Sequence, residues 1–412
     1  MNILKKIGID KLSINTVLYC LFILLTVMDH TLTSISIISV TYELSTCIRI
    51  GIVILSICLF LINIKDIRID YYLICIILFL AVASFQTLNF DVTLFKERLF
   101  QNLATIFMIL VPICSRKNGG DQKKRYLEYG EVIIFVTVFV MDLLSIPDLL
   151  NMHKEGITFN QNALGLYNAA LALILLKWLF KEKNKKIMFL WIVLCLISLV
   201  IILITTARSA LLALMGFVGV MVLSFIYRKM NDKKMFRNLL IACLILGCLA
   251  LLGLAAYFKF DINVLKKFLN GRYELWFIGF PEVMEGHWLF GNGAFTITVY
   301  GKNVTYFQDY TLILFMFHNF VLDAIYTAGI CGIVLLVLFV NDVVRKILER
   351  GLPNDVESIC SLAIVIGFVA ANLFDVYFLW DDATFNYLLL FLELGILLNM
   401  KGTAKEESHE NQ

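Results

Sequence analysis

The sequence predicts an all-α protein with about twelve transmembrane helices and one long loop outside the membrane. Of its 412 residues, 60% are hydrophobic and only 16% are charged, whereas roughly 25% of the residues in a soluble domain are charged. Apolar runs recur along the chain, and a helix of about 20 such residues crosses a hydrocarbon core of roughly 30 Å. The composition therefore excludes a water-soluble enzyme, a disordered chain and a disulfide scaffold.

Twelve apolar segments are predicted as membrane-spanning helices, because they are too long for barrel strands and do not alternate at period two. The first is interpreted as a retained anchor, since no cleavage site of small residues follows it. In chain order the segments are residues 14–30, 43–63, 70–89, 98–115, 129–147, 161–180, 187–205, 208–227, 237–258, 316–341, 357–379 and 384–400.

The distribution of lysine and arginine predicts that both termini are cytoplasmic. With the amino terminus inside, 25 of the 35 basic residues fall on the cytoplasmic side and 9 on the outer side, and Arg49 lies within a span. This orientation assigns residues 1–258 to nine spans, 259–315 to an extracytoplasmic lid loop, 316–400 to three further spans and 401–412 to a cytoplasmic tail. The lid loop is rich in glycine and aromatic residues, which predicts a folded lid.

Two arginines on the predicted outer face are the main candidates for binding a ligand. Arg208 opens the eighth span after a short polar hairpin, and Arg272 lies in the lid loop four residues before Trp276. A guanidinium group at a membrane surface either extends to the lipid head groups or binds a phosphate group of a ligand. Trp276 either belongs to an amphipathic surface helix or stacks on a sugar ring. Both interpretations stay open for each residue.

His318 is the one histidine of five that lies in a predicted core span, directly after the lid loop, and Asn319 follows it. A histidine at this position either packs in the bundle or accepts a proton from a sugar hydroxyl group. Asn319 and Asp323 are four residues apart and are predicted to share one helix face, from which His318 points away.

Three further polar residues are secondary candidates for substrate binding. Asn160 and Asn162 flank the start of the sixth span, where they either cap the helix or donate hydrogen bonds to a sugar. Arg98 lies near the outer end of the fourth span, and an ionisable residue at the edge of a span is a functional candidate.

The order of these motifs is more informative than any one of them. A polar hairpin with Arg208 is followed by Gly-Arg-x-x-x-Trp at 271–276 and Phe-Gly-x-Gly at 290–293, and then by His-Asn-x9-Gly-x-x-Gly at 318–332. With these motifs the chain resembles the O-antigen ligase/O-antigen polymerase superfamily of polytopic glycosyltransferases, over about residues 155–345.

The resemblance implies a membrane fold of the GT-C-like type and glycosyl transfer on the outer face from an undecaprenyl-pyrophosphate-linked sugar. By the same analogy, Arg208 and Arg272 bind the pyrophosphate of the donor, and His318 activates the acceptor hydroxyl group. Fixed guanidinium groups suit this chemistry, because negative charge grows on the leaving pyrophosphate as the glycosidic bond breaks. No cofactor and no metal ion are expected.

The favoured function is a polymerase of capsular polysaccharide, exopolysaccharide or O-antigen in the cytoplasmic membrane. The richness in isoleucine, lysine and asparagine is typical of a low-GC Gram-positive bacterium, which has no lipid A. The alternatives are a ligase that transfers glycan to lipid A-core or another acceptor, and a flippase for lipid-linked oligosaccharides. Expected partners are the lipid bilayer, the lipid-linked oligosaccharide, a flippase and a chain-length regulator, but no nucleic acid.

Overall fold

A computed structural model gives the structure of most of the chain. The described residues are 14–34, 42–65, 67–116, 120–151, 153–156, 158, 161–230, 272–296, 303–306, 310–313, 317–349, 355–373 and 385–398. The predicted ninth span, 237–258, and the candidate Asn160 lie outside them.

The described structure is helical apart from two short strand pairs. The long helices are α1 (Ile14–Ser34), α2 (Tyr42–Asn63), α3 (Tyr71–Phe90), α4 (Val92–Ile113), α5 (Gly120–Leu150), α6 (Gln161–Lys181), α7 (Lys185–Thr205), α8 (Arg208–Lys229), α9 (Phe320–Glu349), α10 (Val356–Asn372) and α11 (Phe385–Leu397). The antiparallel pairs are β1 (Ile67–Arg68) with β2 (Ser115–Arg116), and β3 (Asn303–Tyr306) with β4 (Tyr310–Ile313).

A short helical segment precedes α9 and is called the lid helix. It consists of Arg272–Glu274, a π-helical turn Leu275–Gly279, and Phe280–Val283, which follow one another without a gap. It belongs to the part of the chain that the sequence assigned to the lid loop.

Seven of the described helices are long and apolar enough to cross a membrane, namely Glu43–Asn63, Tyr71–Phe90, Glu128–Leu150, Gln161–Lys181, Lys185–Thr205, Arg208–Lys229 and Phe320–Glu349. Three shorter apolar helices accompany them, Ile14–Asp29, Val356–Asn372 and Leu388–Leu397. The protein is thus a multi-pass membrane protein, and the count of twelve spans stays a prediction.

Several predicted boundaries differ from the helix ends, since α5 begins at Gly120 instead of residue 129 and α9 ends at Glu349 instead of residue 341. Two helix starts are also wrong. The fourth span was expected to begin at residue 98, but α4 begins at Val92, because the Asp91 carboxylate accepts hydrogen bonds from the backbone N–H groups of Thr93 (2.7 Å) and Leu94 (3.0 Å) and caps the helix. The tenth span was expected to begin at residue 316, but α9 begins at Phe320.

Glycine allows α8 and α10 to approach closely. A Cβ atom added to Gly216 would lie 2.8 Å from the Cα atom of Gly367, and one added to Gly367 would lie 2.4 Å from the carbonyl oxygen of Ala213. Small residues at helix crossings of this kind are typical of membrane bundles, where close backbone packing replaces the hydrophobic effect.

The contacts of α6 fix the direction of α10. Near its start, a Cβ atom on Gly165 would lie 2.2 Å from the Cβ of Ala207, which directly precedes α8. At its other end, the ammonium group of Lys181 lies 2.9 Å from the carboxylate of Glu357 at the start of α10. Therefore α10 runs back toward the end of the bundle at which α8 begins.

The same end of the bundle holds the start of α9 and the lid helix. The side-chain amide of Asn319 donates a hydrogen bond of 3.0 Å to the carbonyl of Leu373, just beyond α10. The indole N–H of Trp276 donates one of 2.6 Å to the carbonyl of Phe317. We call this end of the bundle the lid end, and the other the opposite end.

Candidate active site at the lid end

Helix α9 is broken at Gly329, whose backbone angles (φ 65°, ψ −163°) are not helical. A break leaves carbonyl groups before it and N–H groups after it without partners inside the helix. The segment 288–293, called the docking segment below, lies against the break. Its carbonyl groups at Trp288 and Leu289 accept hydrogen bonds from the N–H groups of Ile330 (2.8 Å) and Cys331 (3.1 Å).

The docking segment also donates hydrogen bonds to the carbonyl groups of α9 that precede the break. The N–H of Asn292 donates to the carbonyl of Tyr326 (2.6 Å), and the N–H of Gly293 donates to the carbonyl of Thr327 (3.0 Å). Four backbone hydrogen bonds therefore join the docking segment to α9, and they hold this segment in one position on the helix.

Three glycines make this contact sterically feasible. A Cβ atom would lie 2.6 Å from the backbone nitrogen of Ala328 if added to Gly291, 2.3 Å from that of Thr87 if added to Gly293, and 2.4 Å from the carbonyl oxygen of Leu289 if added to Gly329. All three have positive φ angles, which side chains disfavour. Gly291 and Gly329 thus form a joint between the docking segment and α9, and Gly293 allows the same segment to pack against α3.

His318 lies in the short connection between this lid region and α9. It has φ 50°, the left-handed conformation that few non-glycine residues adopt, and it is half-buried. The expectation that His318 lies in the helix and can be oriented by helical rotation is wrong, because the residue precedes the first turn. Strained backbone of this kind is more frequent at functional sites than elsewhere.

Asn319 caps α9 and ties it to α10. Its Oδ1 atom accepts hydrogen bonds from the N–H groups of Val321 (3.0 Å) and Leu322 (3.1 Å), while its Nδ2 group holds the carbonyl of Leu373. Asp323 accepts a hydrogen bond of 3.4 Å from the N–H of Phe317. These contacts position His318 from both sides, so Asn319 has a structural role that the sequence did not reveal. A sugar contact of Asn319 stays a prediction.

Arg272 and Trp276 lie one turn apart on the lid helix. The bond between Trp276 and the Phe317 carbonyl attaches this helix to the residue before His318. The ring of Phe317 packs edge-on against that of Phe280, with 5.1 Å between the ring centres. Arg272 is thus one turn away from the residue that attaches the lid helix to the His318 connection.

Arg208 is exposed at the first position of α8. Thr206 before it has a left-handed conformation (φ 55°), and Ala207 is buried against the start of α6, so the hairpin is fixed on both sides. The N-terminus of a helix carries a partial positive charge, which adds to that of the guanidinium group and favours an anion there. Asn162 lies half-buried in the first turn of α6, at the same end.

Arg98 contacts the lid region from α4. Its guanidinium carbon lies 5.8 Å from the ring centre of Phe295, and one of its N–H groups donates to Gln101 Oε1 (2.8 Å). Gln101 Oε1 also accepts from Arg49 (3.0 Å), which is paired with Asp29 at 3.0 Å. The sequence had indicated Arg98 but not Gln101 or Asp29, because their side chains meet only in the folded bundle.

Together, fold and site define a multi-pass membrane protein with arginines and a histidine gathered at one end of its helices. A family model described as O-antigen ligase matches residues 193–337, which include α8, the lid helix, the docking segment and the break in α9. The match confirms the resemblance to the O-antigen ligase/polymerase superfamily over a little more than a third of the chain. No curated protein matches the chain.

Proposed function

We propose that the protein is a glycosyltransferase that polymerises undecaprenyl-pyrophosphate-linked oligosaccharide repeat units on the outer face of the cytoplasmic membrane. The observation that carries the proposal is the placement of Arg208 and Arg272 at the lid end, together with His318. Neither arginine has a carboxylate partner within the part of the chain that the structure describes. The family match agrees with a glycosyltransferase of this type.

In the proposed reaction, Arg208 and Arg272 bind the pyrophosphate of the donor lipid. A hydroxyl oxygen of the acceptor sugar attacks the anomeric carbon of the donor and forms the new glycosidic bond. The bond from that carbon to the pyrophosphate breaks, and the lipid pyrophosphate leaves with the electron pair. The two guanidinium groups stabilise the transition state more than the ground state, because the charge on the leaving oxygen grows during the step.

His318 is the proposed general base. Its neutral imidazole accepts the proton of the attacking hydroxyl group as the oxygen–carbon bond forms. The contacts of Phe317 with Trp276 and of Asn319 with Leu373 fix the backbone on either side of this histidine. A base must lie within hydrogen-bond reach of the proton that it removes, and a fixed connection serves this requirement.

A ligase is the second candidate, because the matching family model is described as O-antigen ligase. Polymerase and ligase share the donor and differ in the acceptor, so Arg208, Arg272 and His318 suit both. A flippase is less compatible with the fold, because a transporter needs its binding site near the middle of the membrane, whereas the arginines lie at one end.

Deletion of the gene in the native cell separates the three functions. Loss of a polymerase leaves single repeat units on the carrier lipid in the outer leaflet and abolishes long polymer. Loss of a ligase leaves long polymer on the carrier, and loss of a flippase leaves repeat units in the cytoplasmic leaflet. Either of the last two outcomes contradicts the proposal.

The proposal also requires that the lid end faces outward. In a variant without native cysteines, single cysteines introduced at Lys267 and Lys302 should react in intact cells with a thiol reagent that does not cross membranes. Cysteines at Lys124 and Lys234 should react only after the cells are opened. The reverse pattern contradicts the proposed orientation.

A further inference from the structure

A buried amide on α4 lacks a hydrogen-bond partner. The side chain of Asn102 is 1% exposed, and neither its oxygen nor its nitrogen has a partner among the described residues. A buried polar group without a partner is unfavourable by about 1–3 kcal/mol, so native proteins supply a water molecule or a ligand. Arg98 lies four residues earlier on α4 and therefore on the same face.

The positive charge of Arg98 is not balanced by its neighbours. Gln101 accepts a hydrogen bond from Arg98 but is neutral, and the carboxylate of Asp29 is already paired with Arg49 and also accepts a hydrogen bond from Ser45 (3.0 Å). Among the described residues no carboxylate forms an ion pair with Arg98. The cluster of Arg98, Gln101 and Asn102, called the α4 cluster, thus combines one uncompensated cation with unused amide groups.

An apolar groove lies beside the same part of the lid region. It has a volume of about 410 Å³ and is lined by Ala81, Val82, Phe85 and Gln86 of α3 and by Phe290 of the docking segment. Phe85 and Phe290 are 63% and 47% exposed. An exposed aromatic wall on the outside of a membrane bundle suits a hydrocarbon chain.

The groove and the α4 cluster are connected through residues 290–296. Phe290 lines the groove, and the ring of Phe295 lies over the guanidinium group of Arg98. Between them, the N–H of Ala294 donates to the carbonyl of Ala83 (3.3 Å), and the Thr87 hydroxyl donates to the carbonyl of Ala294 (2.9 Å). A ligand with an anionic head group and a long apolar tail suits this pair of neighbouring sites.

We infer that the α4 cluster binds the pyrophosphate of a second lipid-linked substrate, the acceptor, and that the groove holds the start of its isoprenoid tail. The inference rests on the proposed function, because a polymerase joins two substrates that each carry a lipid pyrophosphate. Arg208 and Arg272 serve the donor, so the acceptor requires a separate cationic site. Arg98 holds the head group, and Asn102 donates a hydrogen bond to one of its oxygens.

The number of carrier lipids that each chain binds tests this inference. Purified full-length protein in phosphatidylcholine nanodiscs is titrated with undecaprenyl pyrophosphate, and bound lipid is counted by native mass spectrometry. The wild type should bind two molecules per chain. Arg98→Gln should lower the affinity for one of these lipids by roughly ten- to hundredfold, as expected when a charged hydrogen-bond donor is lost. Arg208→Ala should lower the affinity for the other.

Two further variants keep the result interpretable. Asn102→Leu should bind the second carrier more weakly while its melting temperature does not fall, because the amide has no described partner to lose. Lys96→Ala removes an exposed cation two residues from Arg98 and should still bind two carriers. A wild type that binds one carrier, or an Arg98→Gln variant that binds two with unchanged affinity, overturns the inference.

The lipid source and the proposed function are tested separately. If phosphatidylglycerol displaces the Arg98-dependent carrier at comparable concentration, the cluster is a phospholipid head-group site and the acceptor assignment is overturned. If the protein makes polymer but binds one carrier, the second site is wrong and the polymerase stands. If it binds two carriers but makes no polymer, the binding site is supported and the polymerase is contradicted.

Discussion

The two ends of the helical bundle differ in whether their main cationic side chains have carboxylate partners. At the opposite end, Lys177 is 0% exposed, and its ammonium group lies 2.6 Å from Glu131 and 2.7 Å from Glu393. At the lid end, Arg98, Arg208 and Arg272 have no carboxylate partner within the described ranges. Lys177 is thus neutralised by carboxylates of the protein, whereas these three arginines are not. Arg49, which shares Gln101 with Arg98, is the exception near the lid end, because it is paired with Asp29.

The proposed function accounts for this difference. A buried charge is unfavourable unless it is paired and hydrogen-bonded, and Glu131 is further held by the indole N–H of Trp178 (2.7 Å). This cluster joins α5, α6 and α11. A cation that is to bind a substrate anion has to stay unpaired in the free protein, and the exposure of Arg208 lowers the free-energy cost of leaving it so.

His318 should show the largest effect on activity and little effect on stability. His318→Ala is expected to lower the rate of polymerisation by about 10²–10⁴-fold, the usual contribution of a general base, while the protein reaches the membrane in normal amount. The polymerisation rates of the purified wild type and variants measure the role of the base. The rate of the wild type with and without chelator measures the expected independence from metal ions. Substantial activity in His318→Gln contradicts the assignment, and loss of wild-type activity in chelator contradicts a metal-free reaction.

Substitution of Lys177 should lower the stability of the fold, in contrast to substitution of His318. Lys177→Met leaves two buried carboxylates without their shared cation and should destabilise the fold by about 3–5 kcal/mol, measured as a lower melting temperature and yield. Lys181→Ala is the matched control, because its ammonium group is 33% exposed and should contribute about 1 kcal/mol or less. Combining Lys177→Met with Glu131→Gln and Glu393→Gln should restore much of the stability. A Lys177→Met variant as stable as the wild type would show that the cluster does not stabilise the fold.

The two donor arginines should affect the rate but not the fold. Arg208→Ala or Arg272→Ala is expected to lower the polymerisation rate by about 10²–10³-fold, as for the loss of one fixed donor to transition-state charge. Lysine should restore only part of the rate, since it lacks the planar fork of arginine. An unchanged melting temperature with full activity in both alanine variants would mean that these cations serve lipid head groups alone.

The glycine joint should have a smaller effect on stability than the Lys177 cluster. Gly291→Ala should cost about 1–3 kcal/mol and displace the docking segment, because the new Cβ atom meets the backbone at 2.6 Å. Gly286→Ala is the matched control, since Gly286 also has a positive φ (80°) but has no atom within 4 Å of the added Cβ. The difference between the two melting temperatures measures the joint itself. Equal melting temperatures of the two variants would contradict a contribution of the joint to stability.

Local patterns in the sequence were sufficient for most of the helices. The apolar runs predicted α1 to α8 within a few residues, apart from the starts of α4 and α5. The order of the polar motifs predicted the family resemblance. The burial of Lys177 inside α6 was not predicted. Its partners Glu131 and Glu393 lie 46 and 216 residues away in the chain, and such pairings have no local signal.

The break in α9 was missed for the same reason. The sequence around Gly329 continues as an apolar helix on both sides, and a glycine inside a helical pattern is not by itself a break. The break depends on the docking segment, which lies about 40 residues earlier and supplies the missing hydrogen bonds. The left-handed His318 and the capping role of Asn319 likewise depend on contacts with the lid helix and α10.

Binding of the carrier lipid tests the contrast between the two ends most directly. The affinity of purified protein for undecaprenyl pyrophosphate is compared with that for undecaprenol, which has the same tail and no charge. The wild type and Lys181→Ala should bind the pyrophosphate at least about tenfold more tightly, and Arg208→Ala combined with Arg272→Ala should reduce this preference. Equal affinity of the wild type for the two lipids would contradict the claim that the arginines at the lid end bind a lipid pyrophosphate.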